Sequence, residues 1–367
     1  MAKIGIGIVG GGYMGKAHAV AHAAVGAVFN TELRPELTSV AASSPASAAR
    51  YAKEFGFRKA ADNWEALVAD PEVEAVIIAS PQAHHRAIAE AAFASGKHVF
   101  CEKPLGESLE DSRAMVAAAE ASGLVHMVGF NYIRTPASQF AYQLLQEGRI
   151  GKVTSFRGEH TEDFLADPDE PANWRTETRA AGTMGDLSPH PINCAQRLMG
   201  PIEELHAMVE TVHAERGGVA VKNDDQATLL LKFASGVSGS LFCSRVATGR
   251  KMGYCYQIDG TKGAIRFDGE DQNAIRLYLR DGPEAEQGFR KILTGPAHPD
   301  YLPFCQGPGH GTGYQDQIII EAKDFLEAIA AGEPRWPTFH EGMEVNRVVH
   351  ASHVSSETRS WVKVTDF

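Results

Sequence analysis

A lysine that follows an apolar segment is the residue of this sequence best placed to do chemistry. Lys103 stands within Cys101-Glu102-Lys103-Pro104, two positions after the end of the apolar segment His98 to Cys101. The chain opens with a glycine-rich loop, and Lys103 comes two strand–helix–strand units after it. Open parallel sheets bind ligands in the crevice outside the carboxyl ends of their strands. We therefore expect Lys103 to reach both a cofactor and a substrate.

The glycine-rich loop has the spacing of a dinucleotide-binding turn. It reads Gly10-Gly11-Gly12-Tyr13-Met14-Gly15 and matches G-x-G-x-x-G, between an apolar segment and a predicted helix from Lys16 to about Val28. In this pattern Gly10 makes the tight turn, Gly12 lets a diphosphate approach the backbone, and Gly15 allows close helix packing. The phosphates then meet the helix N-terminus. We expect Tyr13 and Met14 to lie beside the cofactor as well.

The end of the second predicted strand is the position that distinguishes NAD from NADP. There the chain reads Ala41-Ala42-Ser43-Ser44-Pro45, without the acid that binds the ribose of NAD. The next arginine, Arg50, stands more than a helical turn beyond, so a 2′-phosphate meets hydroxyls but no obvious cation. We expect Ser43 and Ser44 to line the cofactor, and the choice between NAD and NADP stays open.

A polar segment follows the strand that ends at Ala79. Ser80 and Pro81 come directly after this strand, and His84 and His85 follow them. We expect Ser80 and Pro81 at the carboxyl edge of the sheet, with His85 capping or lining the cofactor crevice. His84 is interpreted as a surface residue.

An acid, an imidazole and an amide recur at helical spacing in the second half of the chain. Asp186, His190 and Asn193 stand at i, i+4 and i+7, which on a continuous helix places them on one face. Two prolines flank His190 and suit only a first helical turn, so the helix can instead begin near Ser188 and leave Asp186 outside it. Histidine suits proton transfer near neutral pH, and a neighbouring carboxylate orients it. The alternative is that Asp186 caps a helix and His190 is a core residue.

The pattern of apolar segments divides the chain into two domains. Up to about Tyr132 short apolar segments alternate with helical ones, which is typical of a parallel sheet, whereas strand after strand follows from Val153 to Leu279. The predicted fold class is α/β: an N-terminal doubly wound Rossmann sheet and a C-terminal α+β domain with a large, open-faced, mainly antiparallel sheet. We place the Rossmann domain at 1–132 and the substrate-binding and oligomerisation domain at 133–367. A helix at about 342–356 is a candidate to pack back on the first domain.

Composition narrows the class of protein. The 46 acidic and 35 basic residues give a formal charge of −11 without a basic block, so nucleic acid is not an expected partner. No segment approaches the ~20 apolar residues of a membrane span, and the N-terminus leads straight into a strand, so we expect a cytoplasmic protein. Five dispersed cysteines without a C-x-x-C pair argue against disulfides and zinc, and no metal is expected.

Three motifs, in this order, resemble those of one oxidoreductase family. They are Gly10-x-Gly12-x-x-Gly15, Glu102-Lys103-Pro104 and Gly182-x-x-x-Asp186-x-x-x-His190-x-x-Asn193. Their order and separation are similar to those of the glucose-fructose oxidoreductase, inositol dehydrogenase and rhizopine catabolism family, often written Gfo/Idh/MocA. The resemblance implies reversible oxidation of a secondary hydroxyl of a pyranose, anhydrosugar or inositol by NAD or NADP. It also implies a homodimer or homotetramer that assembles through the C-terminal sheet.

The same resemblance implies roles for individual residues. His190 exchanges the hydroxyl proton, Lys103 holds the substrate oxygen, and Asp186 and Asn193 bind or orient neighbouring hydroxyls. The residues expected near the cofactor are Glu102, Lys103, Asn131, Trp174 and Arg175. Segments such as Gly288-Phe289-Arg290 look like the branch with levoglucosan, L-glucose and inositol dehydrogenases, in which the residues placed around the substrate are Tyr132, Arg134 and Tyr314.

This sequence departs from the commonest family pattern at three positions. Members often carry an acid where Asn193 stands, Pro191 follows the histidine directly, and the acid of NAD users is missing after the second strand. The first two departures concern substrate identity and local geometry, and the third concerns the choice of cofactor.

Two other functions share these motifs. One is a glycoside-cleaving relative that oxidises transiently, eliminates and keeps NAD bound through the cycle. The other is a catalytically silent, nicotinamide-binding sensor. A sensor has no need of Lys103, Asp186 and His190 together, and the intact Glu102-Lys103-Pro104 favours a simple dehydrogenase.

Overall fold

The computed structural model describes all 367 residues and divides them into two compact units. The first unit comprises residues 1–134 and 313–346, and the second comprises residues 135–312 and 347–367. The first boundary lies close to the one expected after residue 132, but residues 313–346, which we expected in the second domain, belong to the first unit. The helix expected at about 342–356 spans the boundary at residue 346.

The chain forms ten α-helices and seventeen β-strands. The helices are α1 (Tyr13–Phe29), α2 (Pro45–Phe55), α3 (Trp64–Ala69), α4 (His85–Ala94), α5 (Leu109–Ser122), α6 (Pro136–Gln146), α7 (Thr183–Asp186), α8 (Pro189–Met199), α9 (Tyr314–Ala331) and α10 (Phe339–Thr358). The strands are β1 (Ala2–Val9), β2 (Leu33–Ala41), β3 (Lys59–Ala60), β4 (Ala75–Ile78), β5 (His98–Glu102), β6 (His126–Gly129), β7 (Val153–Thr161), β8 (Ile202–Glu210), β9 (Glu215–Arg216), β10 (Val219–Ala220), β11 (Gln226–Phe233), β12 (Ser238–Ser244), β13 (Gly253–Gly260), β14 (Gly263–Asp268), β15 (Ala274–Leu279), β16 (Arg290–Leu293) and β17 (Val362–Lys363). None of the helices is both long and apolar enough to cross a membrane.

Six parallel strands form the sheet of the first unit, in the order β3-β2-β1-β4-β5-β6. The strand order reverses between β1 and β4, which creates a switch point at the carboxyl ends of these two strands. Strands β4 and β6 are buried at every residue, as expected for parallel strands covered on both faces. The predicted Rossmann sheet is confirmed.

Capping residues fix the ends of the helices around this sheet. The side chains of Ser44, Asn63 and Ser108 each accept a backbone N–H in the first turn of the helix that follows. Gly56 and Gly123 end α2 and α5 with φ values of 83° and 65°, which favour glycine.

Helix α9 belongs to the first unit although the whole second sheet separates it from β6 in sequence. The side chain of Gln315 donates to the backbone oxygen of Ala17 (2.9 Å), and that of Asn131 donates to Gln317 Oε1 (3.0 Å). Further along the helix, Phe325 packs edge-on against Phe100 of β5, with ring centroids 5.7 Å apart. Helix α9 is therefore tied to α1, to β5 and to the turn that follows β6.

The second unit is built on a sheet of nine strands, in the order β16-β15-β14-β13-β7-β12-β11-β8-β17. Every neighbouring pair is antiparallel except β7 and β12, so the prediction of a mainly antiparallel sheet is confirmed. Alternate residues of β11 are buried, beginning with Ala227 and ending with Phe233. Helices α6 and α8 pack against strands of this sheet, and the opposite residues of β11 point away from the core.

Candidate active site

The glycine loop of the first unit has the geometry that a dinucleotide requires. Gly10 has φ +113°, and a side chain there would collide with the backbone of Ala79. A side chain at Gly15 would collide with the Gly10 carbonyl, which shows how closely α1 approaches the loop. By contrast, a Cβ atom on Gly12 would meet no atom within 4 Å. The loop therefore leaves an open cradle at the N-terminus of α1, where a diphosphate fits.

Aromatic residues from distant parts of the chain meet at this loop. Tyr13 is exposed and stacks on Tyr314 of α9, with ring centroids 5.7 Å apart. The Tyr314 hydroxyl donates to Met14 Sδ (3.2 Å). The ring centroids of Tyr132 and Tyr314 are 6.2 Å apart. Burial raises the pKa of Tyr314, so its hydroxyl keeps its proton at neutral pH. The structure thus brings two predicted substrate residues, Tyr132 and Tyr314, to the predicted cofactor loop.

The end of β2 offers hydroxyls but no carboxylate. The Ser44 hydroxyl accepts the backbone N–H of Ser47 (3.2 Å) and so caps α2, while Ser43 is exposed. The Arg50 guanidinium lies over the Tyr51 ring, 4.8 Å from its centroid. Tyr51 in turn fills the space next to Gly11.

The turn that carries Lys103 follows a buried contact between a carboxyl group and an imidazole. Glu102, the last residue of β5, lies 2.7 Å from the ring of His18 on α1, and both side chains are buried. A Cβ atom at Gly129 of β6 would come within 3.1 Å of the Glu102 carboxylate, so the lack of a side chain there makes room for it. Lys103 itself is half-buried. The pair joins the lysine turn to the helix that follows the glycine loop.

Arg134 and Asn131 contact α9 and the segment after it. One Arg134 Nη lies 2.5 Å from Asp324 Oδ2, the other donates to the Trp336 backbone oxygen (3.2 Å), and the guanidinium lies over the Trp336 ring. Asn131 is buried and donates to Gln317. These contacts give both residues a part in fixing α9, which the sequence did not indicate.

The predicted acid–imidazole–amide motif spans two helices in the second unit. Asp186 is the last residue of the short helix α7, and α8 begins at Pro189, so the continuous helix is not formed. The alternative, with Asp186 outside the helix that carries His190, is the one the structure contains. The Ser188 hydroxyl donates to the Met184 backbone oxygen (2.5 Å) at the junction. His190 and Asn193 lie one turn apart on α8, and both are buried.

A second histidine, which sequence reasoning missed, lies against His190. The His160 and His190 rings meet edge to face with centroids 5.6 Å apart. His160 Nδ1 lies 2.9 Å from the Leu187 backbone oxygen, and its Nε2 lies 3.1 Å from Glu162 Oε1. Because both ring nitrogens have partners, His160 is held in one orientation and supports the His190 ring.

Trp174 and Arg175 lie near the acid of this motif. Arg175 Nε is 3.8 Å from Asp186 Oδ2, and the guanidinium lies 4.3 Å from the Trp174 ring centroid and 5.4 Å from that of Phe164. Trp174 and Phe164 are exposed. The carboxylate, guanidinium and indole therefore form one cluster at the surface of the second unit.

A buried ion pair supports the segment that precedes the motif. Arg245 and Asp225 are buried and lie 3.0 Å apart. The Arg245 guanidinium also donates to the backbone oxygens of Arg175 (2.8 Å) and Ala181 (3.1 Å) and to Asn223 Oδ1 (2.7 Å). Arg245, Asp225 and Asn223 were not predicted, because single charged residues at such distances in sequence form no recognisable motif.

Asp224 is the residue that holds α7 in place. The backbone N–H of Met184 donates to Asp224 Oδ2 (2.7 Å). A side chain at Gly182 would collide with the same carboxyl group, which accounts for glycine at this position. Burial raises the pKa of Asp224 to about 6.

Two glycine substitutions separate cofactor binding from folding. In Gly12→Val the fold should be kept, because φ is −73° and the space is open, but the side chain fills the cradle and NADH binding should fall below detection. In Gly10→Ala the positive φ and the Ala79 carbonyl should reduce stability by ~1–3 kcal/mol. NADH fluorescence titration and thermal unfolding measure both effects, and unchanged NADH binding by Gly12→Val would contradict the assignment.

Asp224 should make stability depend on pH. Its folded pKa of about 6 lies above the ordinary value of 3.8, so between these values the native state binds more protons than the unfolded chain. The free energy of unfolding should therefore fall as pH rises through this window, by on the order of 3 kcal/mol. When measured by urea unfolding at several pH values, the free energy of unfolding should depend less on pH in Asp224→Asn than in the native protein. The control Asp169→Asn, at an exposed position, should keep the native slope, and an equal slope in both variants would contradict the prediction.

Comparison with known proteins covers both units. Residues 4–130 match the family model described as the oxidoreductase family, NAD-binding Rossmann fold, and residues 138–266 match that of the GFO/IDH/MocA C-terminal domain. A levoglucosan dehydrogenase of Pseudarthrobacter phenanthrenivorans is 37% identical, and the alignment covers 99% of each chain. An inositol 2-dehydrogenase of Rhizobium meliloti is 26% identical, with 92% of each chain covered.

Solved structures show the same similarity in three dimensions. A levoglucosan dehydrogenase in complex with NADH and levoglucosan matches this chain with a TM-score of 0.96 and 37% identity, over 99% of both chains. The family expected from the three motifs is thereby confirmed. The chain belongs to the GFO/IDH/MocA family of oxidoreductases, with the NAD-binding Rossmann fold of that family in its N-terminal part.

Proposed function

We propose that this chain is a nicotinamide-dependent dehydrogenase that reversibly oxidises a secondary hydroxyl of a sugar or cyclitol to a ketone. The observation that carries the proposal is the full-length similarity to a levoglucosan dehydrogenase whose solved complex holds NADH and levoglucosan. Another relative is named for its action on inositol. The substrate class is therefore a neutral, polyhydroxylated ring, and an anhydrosugar is the first candidate within it.

The residues present fit a dinucleotide cofactor. The open space at Gly12 and the N-terminus of α1 suit a diphosphate, which Gly10, Tyr13, Met14 and Gly15 would surround. When bound, NAD accepts the hydride that leaves the substrate carbon. The other residues proposed to line this cofactor are Ser43, Ser44, Ser80, Pro81, Glu102, Lys103, Asn131, Trp174 and Arg175.

NAD is the cofactor we propose over NADP. The complexes of the similar levoglucosan dehydrogenase contain NADH. At the end of β2 the Ser44 hydroxyl is used as a helix cap, and Arg50 lies over Tyr51 and 3.9 Å from Glu54. A 2′-phosphate would therefore find little positive charge from these side chains.

Lys103 and His190 are proposed to act on the same substrate hydroxyl. During oxidation the hydroxyl proton passes to His190 and the carbon loses a hydride, so that the C–O single bond becomes C=O. The Lys103 ammonium stabilises the negative charge that develops on this oxygen. In the reverse direction His190 returns the proton.

Asp186 and Asn193 are proposed to bind neighbouring hydroxyls of the ring. Asp186 lies near Arg175, which limits the movement of its carboxylate. Asn193 Oδ1 is buried and accepts no hydrogen bond within the chain, and a buried acceptor without a donor is unfavourable. A substrate hydroxyl can supply that donor. Asn193 also makes this position neutral, which suits an uncharged sugar.

The aromatic residues beside the glycine loop are proposed to complete the substrate site. Tyr132 and Tyr314 offer ring faces and hydroxyls to a sugar. Arg134 was expected to contact the substrate as well. Because its guanidinium contacts Asp324 and Trp336, we propose that it acts on the substrate by holding α9.

The outer face of the nine-stranded sheet is proposed to pair with a second copy of the chain. Met208 and Phe242 are exposed and flank Thr228 in the register of three adjacent strands, and Leu230 is exposed one position further along this face. Such a homodimer or homotetramer would cover these apolar side chains. We place the protein in the cytoplasm, because its five cysteines are free, and propose no nucleic acid or membrane partner.

Replacement of the two proposed catalytic side chains should reduce turnover severely. Lys103→Ala should lower kcat by ~10²–10³-fold, because the charge on the oxygen loses its stabilisation. His190→Ala should lower it by ~10²–10⁴-fold through the loss of proton transfer. Lys103→Arg keeps the charge and should retain more activity than Lys103→Ala. Native turnover by either alanine variant, measured with folded protein, would contradict its assigned role.

A panel of levoglucosan, other sugars and inositols with NAD⁺ and NADP⁺ tests the function itself. Stoichiometric formation of NADH and a keto product is expected. Substrate consumption without net NADH formation would instead support the glycoside-cleaving alternative. Tight NADH binding with no reaction of any sugar would support the sensor. Faster turnover with NADP⁺ than with NAD⁺ would contradict the proposed cofactor.

Charged substitutions on the outer sheet face should disrupt assembly. In Leu230→Asp and Phe242→Asp a carboxylate replaces an apolar contact, so the variants should sediment as smaller species than the native protein. Val219→Asp, at an exposed apolar residue of the separate β9–β10 hairpin, is the control. Sedimentation velocity measures the species, and a monomeric native protein or unchanged assembly of both variants would contradict the proposal.

A further inference from the structure

His85 is a buried histidine that no step of the proposed reaction uses. It begins α4 and is 1% exposed, whereas its neighbour His84 is exposed. Its Nε2 lies 2.9 Å from the backbone oxygen of Ser80. Its Nδ1 lies 3.1 Å from the backbone oxygens of both Pro104 and Leu105. Both ring nitrogens therefore face backbone carbonyl groups.

The carbonyl groups that His85 contacts belong to two loops at the same edge of the sheet. Ser80 lies in the loop after β4, and Pro104 and Leu105 directly follow Lys103 in the loop after β5. The loop after β4 also packs against the glycine loop, because a Cβ atom on Gly10 would collide with Ala79 and Ser80. His85 therefore links the lysine turn to the loop on which the cofactor-binding glycines rest.

The protonation state of the His85 imidazole determines whether it donates a hydrogen bond to one of the two loops or to both. A neutral ring carries one N–H and can donate to only one of the two loops, whereas an imidazolium donates to both. Burial lowers the pKa of His85, although the surrounding carbonyls and Glu102 favour the charged form. With a neutral ring, the tautomer protonated at Nδ1 donates to the Lys103 turn.

We propose that His85 is a positioning residue for Lys103: it fixes the Pro104–Leu105 backbone so that the lysine ammonium is held where the substrate oxygen binds. This differs from the direct cofactor contact that the sequence predicted for His85. The catalytic part of the inference rests on the proposed function, since Lys103 acts on the substrate oxygen there. The structural part, a turn held by one imidazole, is independent of the reaction.

Three substitutions at position 85 separate the contact with Pro104 and Leu105 from the contact with Ser80. His85→Phe keeps the size of the ring but removes both hydrogen-bonding groups. His85→Asn places an N–H close to the position of Nδ1, which faces Pro104 and Leu105, whereas His85→Gln reaches toward the position of Nε2, which faces Ser80. His84→Asn, at the exposed neighbour, is the matched control.

Steady-state kinetics should show a larger loss in kcat than in NADH affinity. His85→Phe should lower kcat by ~10–100-fold, as expected for a displaced catalytic group, with NADH affinity unchanged within about threefold. His85→Asn should recover more of kcat than His85→Gln, and His84→Asn should match the native enzyme. Native kcat in His85→Phe would overturn the inference. A loss of NADH affinity as large as the loss of kcat would also overturn it, because His85 would then act chiefly through the cofactor site. If His85→Phe does not fold, equal kcat values for His85→Asn and His85→Gln would overturn it.

Hydrogen exchange tests the link without any reaction. In the ligand-free protein, the backbone N–H groups of residues 103 and 105–107 should exchange faster in His85→Phe than in the native protein or in His84→Asn. Equal exchange rates in all three proteins would overturn the inference. If the native protein oxidises no sugar but exchange changes as expected, the proposed function fails while the structural part of the inference stands.

Discussion

Close packing of backbone against backbone at the carboxyl edge of the six-stranded sheet is the constraint on which the first unit depends. Gly10 touches the loop after β4, and Gly15 touches Gly10, with no room for a side chain at either contact. The Glu102–His18 pair and the His85 ring then connect this edge to the turn of Lys103. The cofactor cradle and the lysine turn are consequently parts of one packed edge, and movement of either loop would break contacts in the other.

The second unit obtains the same rigidity from buried charge. The Arg245–Asp225 pair joins the nine-stranded sheet to the segment that ends at Gly182. Asp224 accepts a hydrogen bond from the backbone N–H of Met184, in the first turn of α7. Loss of one partner from such a buried pair typically costs ~3–5 kcal/mol, because an uncompensated charge remains. This brace holds Asp186 at the end of α7, while His160 supports His190. The side chains that we propose to act on the substrate therefore lose little entropy when it binds.

Features set by local sequence could be predicted, and features set by distant contacts could not. The glycine loop depends on neighbours within a few residues, and so do the apolar and helical segments from which the Rossmann and antiparallel sheets were predicted. Two alternatives were open for the segment from Asp186 to Asn193, and the continuous helix is the one that is not formed, since the prolines beside His190 start a new helix. The return of α9 to the first unit was missed, because Tyr314 and Met14 are 300 positions apart. Arg245 was missed for the same reason, as its partner Arg175 is 70 positions away.

We propose that the Lys103 ammonium and the His190 imidazole act on one substrate hydroxyl in one step. A double-mutant cycle on kcat tests it most directly, with Lys103→Ala, His190→Ala and the double variant assayed under identical conditions. Groups that act together in one transition state give non-additive losses, so the double variant should be little slower than the slower single variant. If the two fold-losses multiply in full, as for independent sites, the two groups do not act together in one step.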